Sequence, residues 1–204
     1  MKDLFGNEIP GTKSNSLHNI LTTLGASSHS KYQREHNDLY CTHPDAVHAL
    51  CDLETFSPLI WEPCAGLGHI ADTLRLRGYN VRESDILARG RDIEQLDFLA
   101  SDEIVDCDII TNPPYKIATP IIRKALRSVT DGNRVAMWLR ILYLESHERK
   151  QLFAEYPPQR VWISSKRIPC AMNGDFDNIT SSAQGYMWLI FQKGHTGPTT
   201  IGWF

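Results

Sequence analysis

Short apolar runs alternate with helical patterns through most of this chain, and this alternation limits its possible folds more than any other feature. The predicted strands are residues 58–62, 80–85, 105–111, 133–142, 161–164 and 186–191. Apolar residues three or four positions apart predict helices after Pro44, around residues 70–74, and at residues 119–129 and 146–156. Because strands that alternate with helices usually form a parallel sheet covered on both faces, we predict an α/β fold with a mostly parallel sheet.

The length and composition fit a single globular domain. The chain has 204 residues, of which 42% are hydrophobic and 22% are charged. Residues 1–37 are polar and lack a clear period, so we expect a flexible N-terminal arm ahead of a domain that covers residues 38–204. Residues 166–185 are rich in Gly, Asn, Asp and Ser and also lack a period. A loop of that length inside a compact domain is usually functional, so we expect a substrate-recognition loop there.

Composition disfavours several classes of protein. No apolar run reaches the roughly 20 residues that span a bilayer, and the first residues lack the pattern of a secretory signal, so we expect a cytoplasmic protein with no membrane partner. The five cysteines are scattered and the eight histidines lack ligand spacing, so we expect neither disulfides nor a metal site. The net charge of -3 is not that of a strongly basic nucleic-acid-binding domain, but it is compatible with a local basic patch.

The first predicted strand ends in a glycine-rich turn, Glu62-Pro63-Cys64-Ala65-Gly66-Leu67-Gly68. Glycines let the backbone approach a ligand closely, although a Gly-x-Gly pair also fits an ordinary strand-to-helix turn. The pattern Gly-x-x-x-x-Gly-Lys-Ser/Thr is absent, which disfavours nucleotide hydrolysis. Asp85 ends the next predicted strand, where a carboxylate could accept hydrogen bonds from both hydroxyls of a ribose, and Glu83 is the less favoured candidate.

The segment Asn112-Pro113-Pro114-Tyr115 is the most specific motif and follows a buried-type strand. Two prolines stiffen the loop and remove two N–H donors, which leaves the Asn112 side-chain carbonyl and the adjacent backbone carbonyls as acceptors. Two carbonyls can take the two hydrogens of an amino group on a flat ring, and the ring of Tyr115 offers a surface for stacking. The loop therefore predicts chemistry at an exocyclic amino group.

These motifs resemble a known family. Asn112-Pro113-Pro114-Tyr115, with Glu-Pro-x-x-Gly-x-Gly about fifty residues earlier, is similar to the S-adenosylmethionine-dependent amino-methyltransferases, especially the DNA adenine-N6 methyltransferases. The order of the motifs resembles the γ arrangement. The segments that resemble a small phage and prophage-associated branch are residues 24–30, Arg34-Glu35, Asp38-Leu39-Tyr40, Thr42-His43-Pro44, Asp97-Phe98-Leu99, residues 166–169 and residues 194–198. The resemblance implies a Rossmann-like class I methyltransferase fold with a seven-stranded sheet and S-adenosylmethionine as cofactor.

The resemblance also implies which residues hold that cofactor. Tyr40, Thr42 and Pro44 would face the methionine carboxylate, helped by the positive end of the helix that follows. The residues that would border the methionine and ribose are Glu62, Pro63, Ala65, Gly66 and Gly68, with Asp85 on the ribose hydroxyls and Asn112 beside the reacting group. Asp97 would accept a hydrogen bond from the adenine amino group, and Phe98 would pack on a face of the adenine.

The reaction that the resemblance implies is direct methyl transfer to a nitrogen. Asn112 and the Pro113 carbonyl would hold the amine, Pro114 would keep the loop rigid, and Tyr115 would stack on the target ring. A base in duplex DNA would first have to be flipped out of the stack. The cationic candidates for phosphate contacts are Lys116, Arg123, Arg140, Lys166 and Arg167, with the last two favoured.

The nature of the substrate stays open at this point. Many DNA methyltransferases carry a large target-recognition domain, whereas here we expect only the arm and the 166–185 loop to read sequence. The same four-residue motif also serves enzymes that methylate guanine N2 or adenine N6 in RNA, or a glutamine amide in protein. A further alternative is a binding subunit that kept the fold and lost activity. The sequence does not indicate an oligomeric state.

Overall fold

The computed structural model describes residues 39–172, 174–176, 182 and 184–204, and the predicted N-terminal arm therefore lies outside the described residues. The strands are β1 (Tyr40–Thr42), β2 (Leu59–Glu62), β3 (Asn80–Asp85), β4 (Glu94–Gln95), β5 (Asp108–Thr111), β6 (Arg134–Arg140), β7 (Arg160–Ile163), β8 (Cys170–Met172), β9 (Tyr186–Gln192) and β10 (Thr200–Trp203). The α-helices are α1 (Pro44–Leu53), α2 (His69–Leu76), α3 (Ala118–Ser128) and α4 (His147–Glu155), and two 3-10 helices cover Tyr115–Ile117 and Ile141–Leu144. No helix in the described part of the chain is long and apolar enough to cross a membrane.

Eight strands form the main sheet, in the order β10-β7-β9-β6-β5-β2-β3-β4. Strand β9 is antiparallel to both of its neighbours, and the other pairs of adjacent strands are parallel. From β2 the chain builds outward to β3 and β4, and then returns to place β5 on the other side of β2. The strand order reverses between β2 and β5, and in an open parallel sheet this switch point is where ligands bind, outside the carboxyl ends of the strands.

Apolar side chains alternate between the two faces of the central strands and build a hydrophobic cluster on each. On β2, Ile60 joins the cluster with α1 and α2, whereas Trp61 joins the cluster with α3. On β5, Ile109 and Ile110 divide in the same way. Because successive strand residues point to opposite faces, a strand covered by helices on both sides must be apolar throughout. The predicted α/β fold with helices on both faces is confirmed.

The predicted elements are present, with shorter bounds at several ends. The strand predicted at 105–111 is regular only from Asp108, with Val105 forming a single bridge to Val129. The sheet has eight strands where seven were predicted, and the sequence indicated neither β4 nor β10. Both are short strands at the sheet edges with mostly exposed side chains, so they lack the apolar run that identifies a buried strand.

The segment predicted as one long loop, residues 166–185, contains strand β8. This strand pairs antiparallel with β1, in a register that sets Tyr40 opposite Met172 and Thr42 opposite Cys170. Three residues carry too little alternation to reveal a strand, and the partner strand lies more than a hundred residues earlier in the chain. The two-stranded sheet therefore joins the predicted recognition segment to the residues just before α1.

Asp108 joins three parts of the chain at the start of β5. Its buried carboxylate accepts the backbone N–H of Ser57 at 2.5 Å and that of Arg134 at 2.6 Å, ahead of β2 and at the start of β6. A buried N–H that loses its acceptor costs free energy because water cannot replace the bond. Asp108 therefore fixes the relative positions of the three central strands at their amino ends.

Asp108→Ala should destabilise the fold by about 3 kcal/mol, because two backbone N–H groups lose a charged acceptor. The measurement is urea unfolding followed by circular dichroism. Asp106→Ala is the matched control, since Asp106 is exposed and accepts from the side chains of Thr130 and Asn133 rather than from backbone N–H groups of neighbouring strands. We expect a much smaller loss for the control, and equal losses would show that the Asp108 contacts do not hold the strands.

Candidate active site

A cavity of about 240 Å³ lies at the carboxyl ends of β2 and β5, at the point where the strand order reverses. Both sequence motifs border it, together with β1 and the end of β3. The predicted residues in its wall are Tyr40, Thr42, Glu62, Ala65, Gly66, Asp85, Asn112, Pro113, Pro114, Tyr115 and Lys116. Residues that are far apart in the sequence thus line one cavity, because the carboxyl ends of parallel strands lie at the same edge of the sheet.

Gly66 and Asp85 connect the glycine-rich turn to the end of β3. Gly66 has a φ of 56°, and a Cβ at this position would lie 2.7 Å from Cδ1 of Leu39, so a larger residue would both strain the turn and clash. Its N–H donates to Oδ2 of Asp85 at 2.9 Å, and Oδ1 of the same carboxylate accepts from the N–H of Leu87 at 3.0 Å. Each carboxylate oxygen keeps a second lone pair, which leaves capacity for ligand hydroxyls.

Glu62 is a buried carboxylate in the cavity wall, with 1% of its surface exposed. Its Oε2 accepts the N–H of Ala71 in the first turn of α2 at 2.8 Å. Burial, and then the neighbouring Glu83 carboxylate, raises the pKa of Glu62 well above the ordinary 4.5. A cationic ligand group in the cavity would offset this cost, because an opposite charge favours the ionised carboxylate.

Gly68 lies against the side chain of Arg91 at the start of α2. Its φ is 80°, and a Cβ there would lie 2.1 Å from the guanidinium carbon of Arg91. Arg91 in turn forms ion pairs with Asp72 at 2.8 Å and Glu83 at 2.9 Å. Gly68 does not line the cavity. It makes room for an arginine that fixes the turn to α2 and β3.

Asn112 connects its loop to the β1 wall of the cavity. Its side-chain Nδ2 donates to the backbone carbonyl of Tyr40 at 2.7 Å. This bond orients the amide, so that its NH₂ group faces β1 and its carbonyl oxygen stays available as an acceptor. Pro113 and Pro114 follow without N–H groups, which leaves acceptors rather than donors at this part of the wall.

Oγ1 of Thr42, a residue that is 1% exposed, is a buried atom of a wall residue and lacks a hydrogen-bond partner among the described residues. The same holds for Nδ1 of His69. Burial lowers the pKa of His69, which favours the neutral ring. Buried polar groups in native proteins are nearly always paired, so unpartnered atoms that border a cavity indicate a polar ligand.

Tyr115 is half-buried and forms part of an aromatic and polar cluster. Its ring stacks on that of Tyr40, with centroids 6.1 Å apart and an angle of 24° between the planes. The guanidinium of Arg140 lies 4.7 Å from its ring centroid, and its hydroxyl donates to Sγ of Cys170 at 3.7 Å. Burial raises the pKa of the Tyr115 hydroxyl well above 10, so this group stays protonated.

A smaller cavity of about 90 Å³ extends the main one along the end of β3. The smaller one is also lined by Pro63, Asp97 and Phe98, and five residues line both cavities: Cys64, Asp85, Ile86, Pro114 and Ile117. Phe98 is 3% exposed and packs edge-on against Trp61 at 5.1 Å, so most of its ring belongs to the core. Asp97 uses Oδ1 to accept the N–H of Leu99 at 3.0 Å. Both predicted adenine contacts thus border one subsite.

Five predicted residues lie outside both cavities, besides Gly68. Pro44 occupies the first turn of α1, and Arg140 reaches the site only through the ring of Tyr115. Lys166 and Arg167 are exposed ahead of β8, and Arg123 forms an ion pair with Glu155 on α4.

Sequence reasoning missed nine residues of the main cavity: Leu39, Cys41, Cys64, Leu67, His69, Ile70, Ile86, Arg89 and Ile117. Most are apolar and adjacent to motif positions, so no residue type distinguishes them from core residues. Burial raises the pKa of Cys64 to about 12 and that of Cys41 to about 11, which keeps both as uncharged thiols. They provide an apolar surface rather than a nucleophile.

The segment after β8 packs next to the cavity wall. The ring of Phe176 contacts the rings of His43 and His69 edge-on, with centroids 5.0 Å and 5.3 Å apart. Gly174, with a φ of 76°, lies where a Cβ would be 2.9 Å from the His69 ring. His69 lines the cavity, so this part of the predicted recognition segment contacts a cavity residue directly.

Comparisons of sequence and of structure give different results. No protein-family model matches the chain, and no curated protein matches its sequence. Among solved structures, a protein from Listeria monocytogenes proposed to be a class I S-adenosylmethionine-dependent methyltransferase has a TM-score of 0.59 at 12% identity, over 91% of this chain and 71% of that chain. The type IIG restriction endonuclease BpuSI has a TM-score of 0.58 at 14% identity, over 80% of this chain.

A third similar structure is the modification subunit of a proposed type I restriction enzyme from Vibrio vulnificus, with a TM-score of 0.54 at 13% identity over 95% of this chain. The matched region spans 26% of BpuSI and 52% of the Vibrio subunit. At these identities the similarity concerns the fold. The chain has the Rossmann-like class I methyltransferase fold, as the sequence motifs implied.

The Glu62→Gln variant should gain stability relative to the wild type as the pH rises. The pKa of Glu62 is raised in the folded state, so wild-type stability falls as the pH rises above 4.5, where the unfolded chain ionises this group first. Glutamine cannot ionise and still offers an oxygen to the N–H of Ala71. Urea unfolding from pH 5 to pH 8 should show the free energy of unfolding of the variant gaining on that of the wild type. Glu145→Gln, at an exposed position, is the control. If the difference in unfolding free energy between Glu62→Gln and the wild type did not depend on pH, the raised pKa of Glu62 would be contradicted.

Proposed function

We propose that this protein is an S-adenosylmethionine-dependent methyltransferase that methylates an exocyclic amino group, namely N6 of adenine in DNA. The observation that carries the proposal is the orientation of Asn112, whose NH₂ group is bonded to the Tyr40 carbonyl at 2.7 Å while its own carbonyl stays available. The loop therefore presents acceptors, and an amino group is the donor that fits them. The proposed setting is the cytoplasm of a bacterial or phage-infected cell.

The cofactor fits the polar groups of the two cavities. Bound S-adenosylmethionine would supply a methyl group on a positively charged sulfur. Unpartnered Thr42 Oγ1 would bind the methionine carboxylate, and buried Glu62 would pair with a cationic part of the ligand. Asp85 would accept from the ribose hydroxyls, and the smaller cavity beside Asp97 would take the adenine.

The residues of the chain would act mainly by positioning and electrostatics. The Asn112 side-chain carbonyl and the Pro113 backbone carbonyl would accept hydrogen bonds from the two N–H groups of the target amine. These bonds would direct the nitrogen lone pair out of the ring plane. Bound S-adenosylmethionine would supply the methyl group and leave as the neutral thioether, and the methylated amine would lose its proton to water. The prolines hold the carbonyls in place before the substrate arrives.

Two of the similar structures support nucleic acid as the substrate, since they are a restriction endonuclease and a modification subunit. The chain also carries a cation in the cavity wall, Lys116, and two exposed cations ahead of β8, Lys166 and Arg167, which could contact phosphates. RNA and a protein glutamine amide offer the same type of amino group. They are therefore alternative outcomes of the substrate test rather than separate proposals.

The deciding experiment supplies tritiated S-adenosylmethionine to DNA, tRNA, rRNA and protein side by side. We expect label in DNA, recovered as N6-methyladenine after digestion. Label in RNA or protein alone would make the DNA assignment wrong and leave the chemistry in place. A thermal shift with S-adenosylmethionine tests the cofactor separately, because a ligand that binds only the folded protein raises its melting temperature. The absence of a shift would favour an inactive binding subunit.

Asn112→Ala and Asp85→Asn should separate chemistry from cofactor binding. Asn112→Ala removes an acceptor for the target amine and also the bond to the Tyr40 carbonyl, so we expect turnover to fall about 100-fold or more, with a much smaller rise in the cofactor Kd that acts through β1. Asp85→Asn turns an NH₂ group towards the N–H of Gly66 or Leu87, so we expect the cofactor Kd to rise about tenfold. Calorimetry gives Kd and single-turnover labelling gives the rate. Equal effects of both variants on Kd would show that Asn112 does not act on the amine.

A further inference from the structure

The Tyr115 ring, which under the proposed function stacks on the target base, is already in contact with other groups. Tyr40 stacks on it at 6.1 Å, and the Arg140 guanidinium lies 4.7 Å from its centroid. The ring also packs against both hydrophobic clusters, and its hydroxyl bonds to Cys170. A base can therefore stack on Tyr115 only after one of these groups moves.

The backbone of Tyr40 is fixed by hydrogen bonds on both sides. Its carbonyl accepts Nδ2 of Asn112 at 2.7 Å, and its strand β1 pairs with β8, where Tyr40 lies opposite Met172. Moving the Tyr40 ring away by shifting its backbone would break both sets of hydrogen bonds. It would also disturb Asn112, the residue on which the proposed chemistry depends.

Arg140 can move by side-chain rotation alone. It is the last residue of β6, at the same sheet edge as the cavity, and its side chain is half-buried. Its Nε has no hydrogen-bond partner among the described residues. Rotating the side chain therefore gives up the contact with the Tyr115 ring but no hydrogen bond of Nε to those residues.

The guanidinium has the shape and the stacking chemistry of a small flat ring. It is planar, weakly hydrated and stacks on aromatic faces, which lysine cannot do. A partly exposed cation–π contact is weaker than the stacking of a base on an aromatic side chain. A base can therefore replace the guanidinium, and the released cation can bind a phosphate oxygen.

We infer that Arg140 occupies the base-stacking face of Tyr115 in the ligand-free protein, and that an entering base moves it onto a phosphate of the nucleic acid. This inference rests on the proposed function and adds a positioning residue to it. Arg140 keeps the stacking face covered when no base is present. It then links the stacking of a base to the binding of the backbone.

Arginine NMR on the wild-type protein tests the movement without relying on a variant that must fold. A guanidinium over an aromatic ring has its Nε–H signal shifted upfield by the ring current, and the signal is assigned by its loss in Arg140→Lys. Arg149 is the matched control, because its guanidinium lies 4.7 Å from the Tyr143 ring and its Nε is likewise unpartnered among the described residues. The probe is a single-stranded oligodeoxyadenylate, added with S-adenosylhomocysteine to prevent turnover.

We expect the Arg140 signal to move downfield as the oligonucleotide binds, while the Arg149 signal stays in place. In Tyr115→Leu the upfield shift of Arg140 should be absent before any oligonucleotide is added. Binding measured against salt gives a second readout. Arg140→Gln should lower the slope of log Kd against log salt concentration by about one, whereas Arg140→Lys and Arg149→Gln should leave it unchanged.

The outcomes separate this inference from the proposed function. If the wild type binds and methylates the oligonucleotide while the Arg140 signal stays upfield, the inference is wrong and the proposed function stands. An unchanged salt slope in Arg140→Gln, with the signal moving, would contradict the phosphate contact. If no nucleic acid is bound or methylated, the proposed function is wrong and the inference falls with it.

Discussion

The parallel pairing of β2 with β5 is the constraint on which the site depends. The register sets Ile60 opposite Asp108 and Trp61 opposite Ile109, so both strands end at the same edge of the sheet. Their loops carry the glycine-rich turn and the Asn112 loop, which lie about fifty residues apart in sequence. After β2 the chain continues to β3 on one side of this pair, and after β5 it continues to β6 on the other side. A crevice therefore opens between the two loops. Buried apolar residues on both faces of these strands hold the pairing in place.

A single side-chain hydrogen bond brings a third segment to this crevice. Asn112 donates to the carbonyl of Tyr40 and so attaches β1 to the wall of the cavity. Strand β1 also pairs with β8, and the segment beyond β8 reaches His69 through Phe176. The same asparagine thus orients its own carbonyl and fixes the strand that borders the cavity. These contacts connect the segment after β8 to the wall of the cavity at both β1 and His69.

The cavity wall contains buried polar groups whose burial costs free energy when no partner is bound. Glu62 is a carboxylate buried in the wall, and Oγ1 of Thr42 lacks a partner within the described part of the chain. The ring of Tyr115 is covered by a guanidinium rather than left open to water. Unpaired polar groups and covered stacking faces both favour a partner that brings a complementary group. The cavity is therefore arranged for a charged ligand on one side and a planar one on the other.

The sequence by itself determined the α/β alternation, the two motif loops and the acid at Asp85, because these follow from local patterns of apolar, glycine and proline residues. Tertiary structure decided what those patterns cannot encode. Gly68 makes room for Arg91, and a Gly-x-Gly pattern does not show what lies opposite each glycine. Strand β8 and the position of Arg140 over Tyr115 depend on partners far away in the chain. Such contacts arise only when the sheet brings distant segments together, and no local pattern records them.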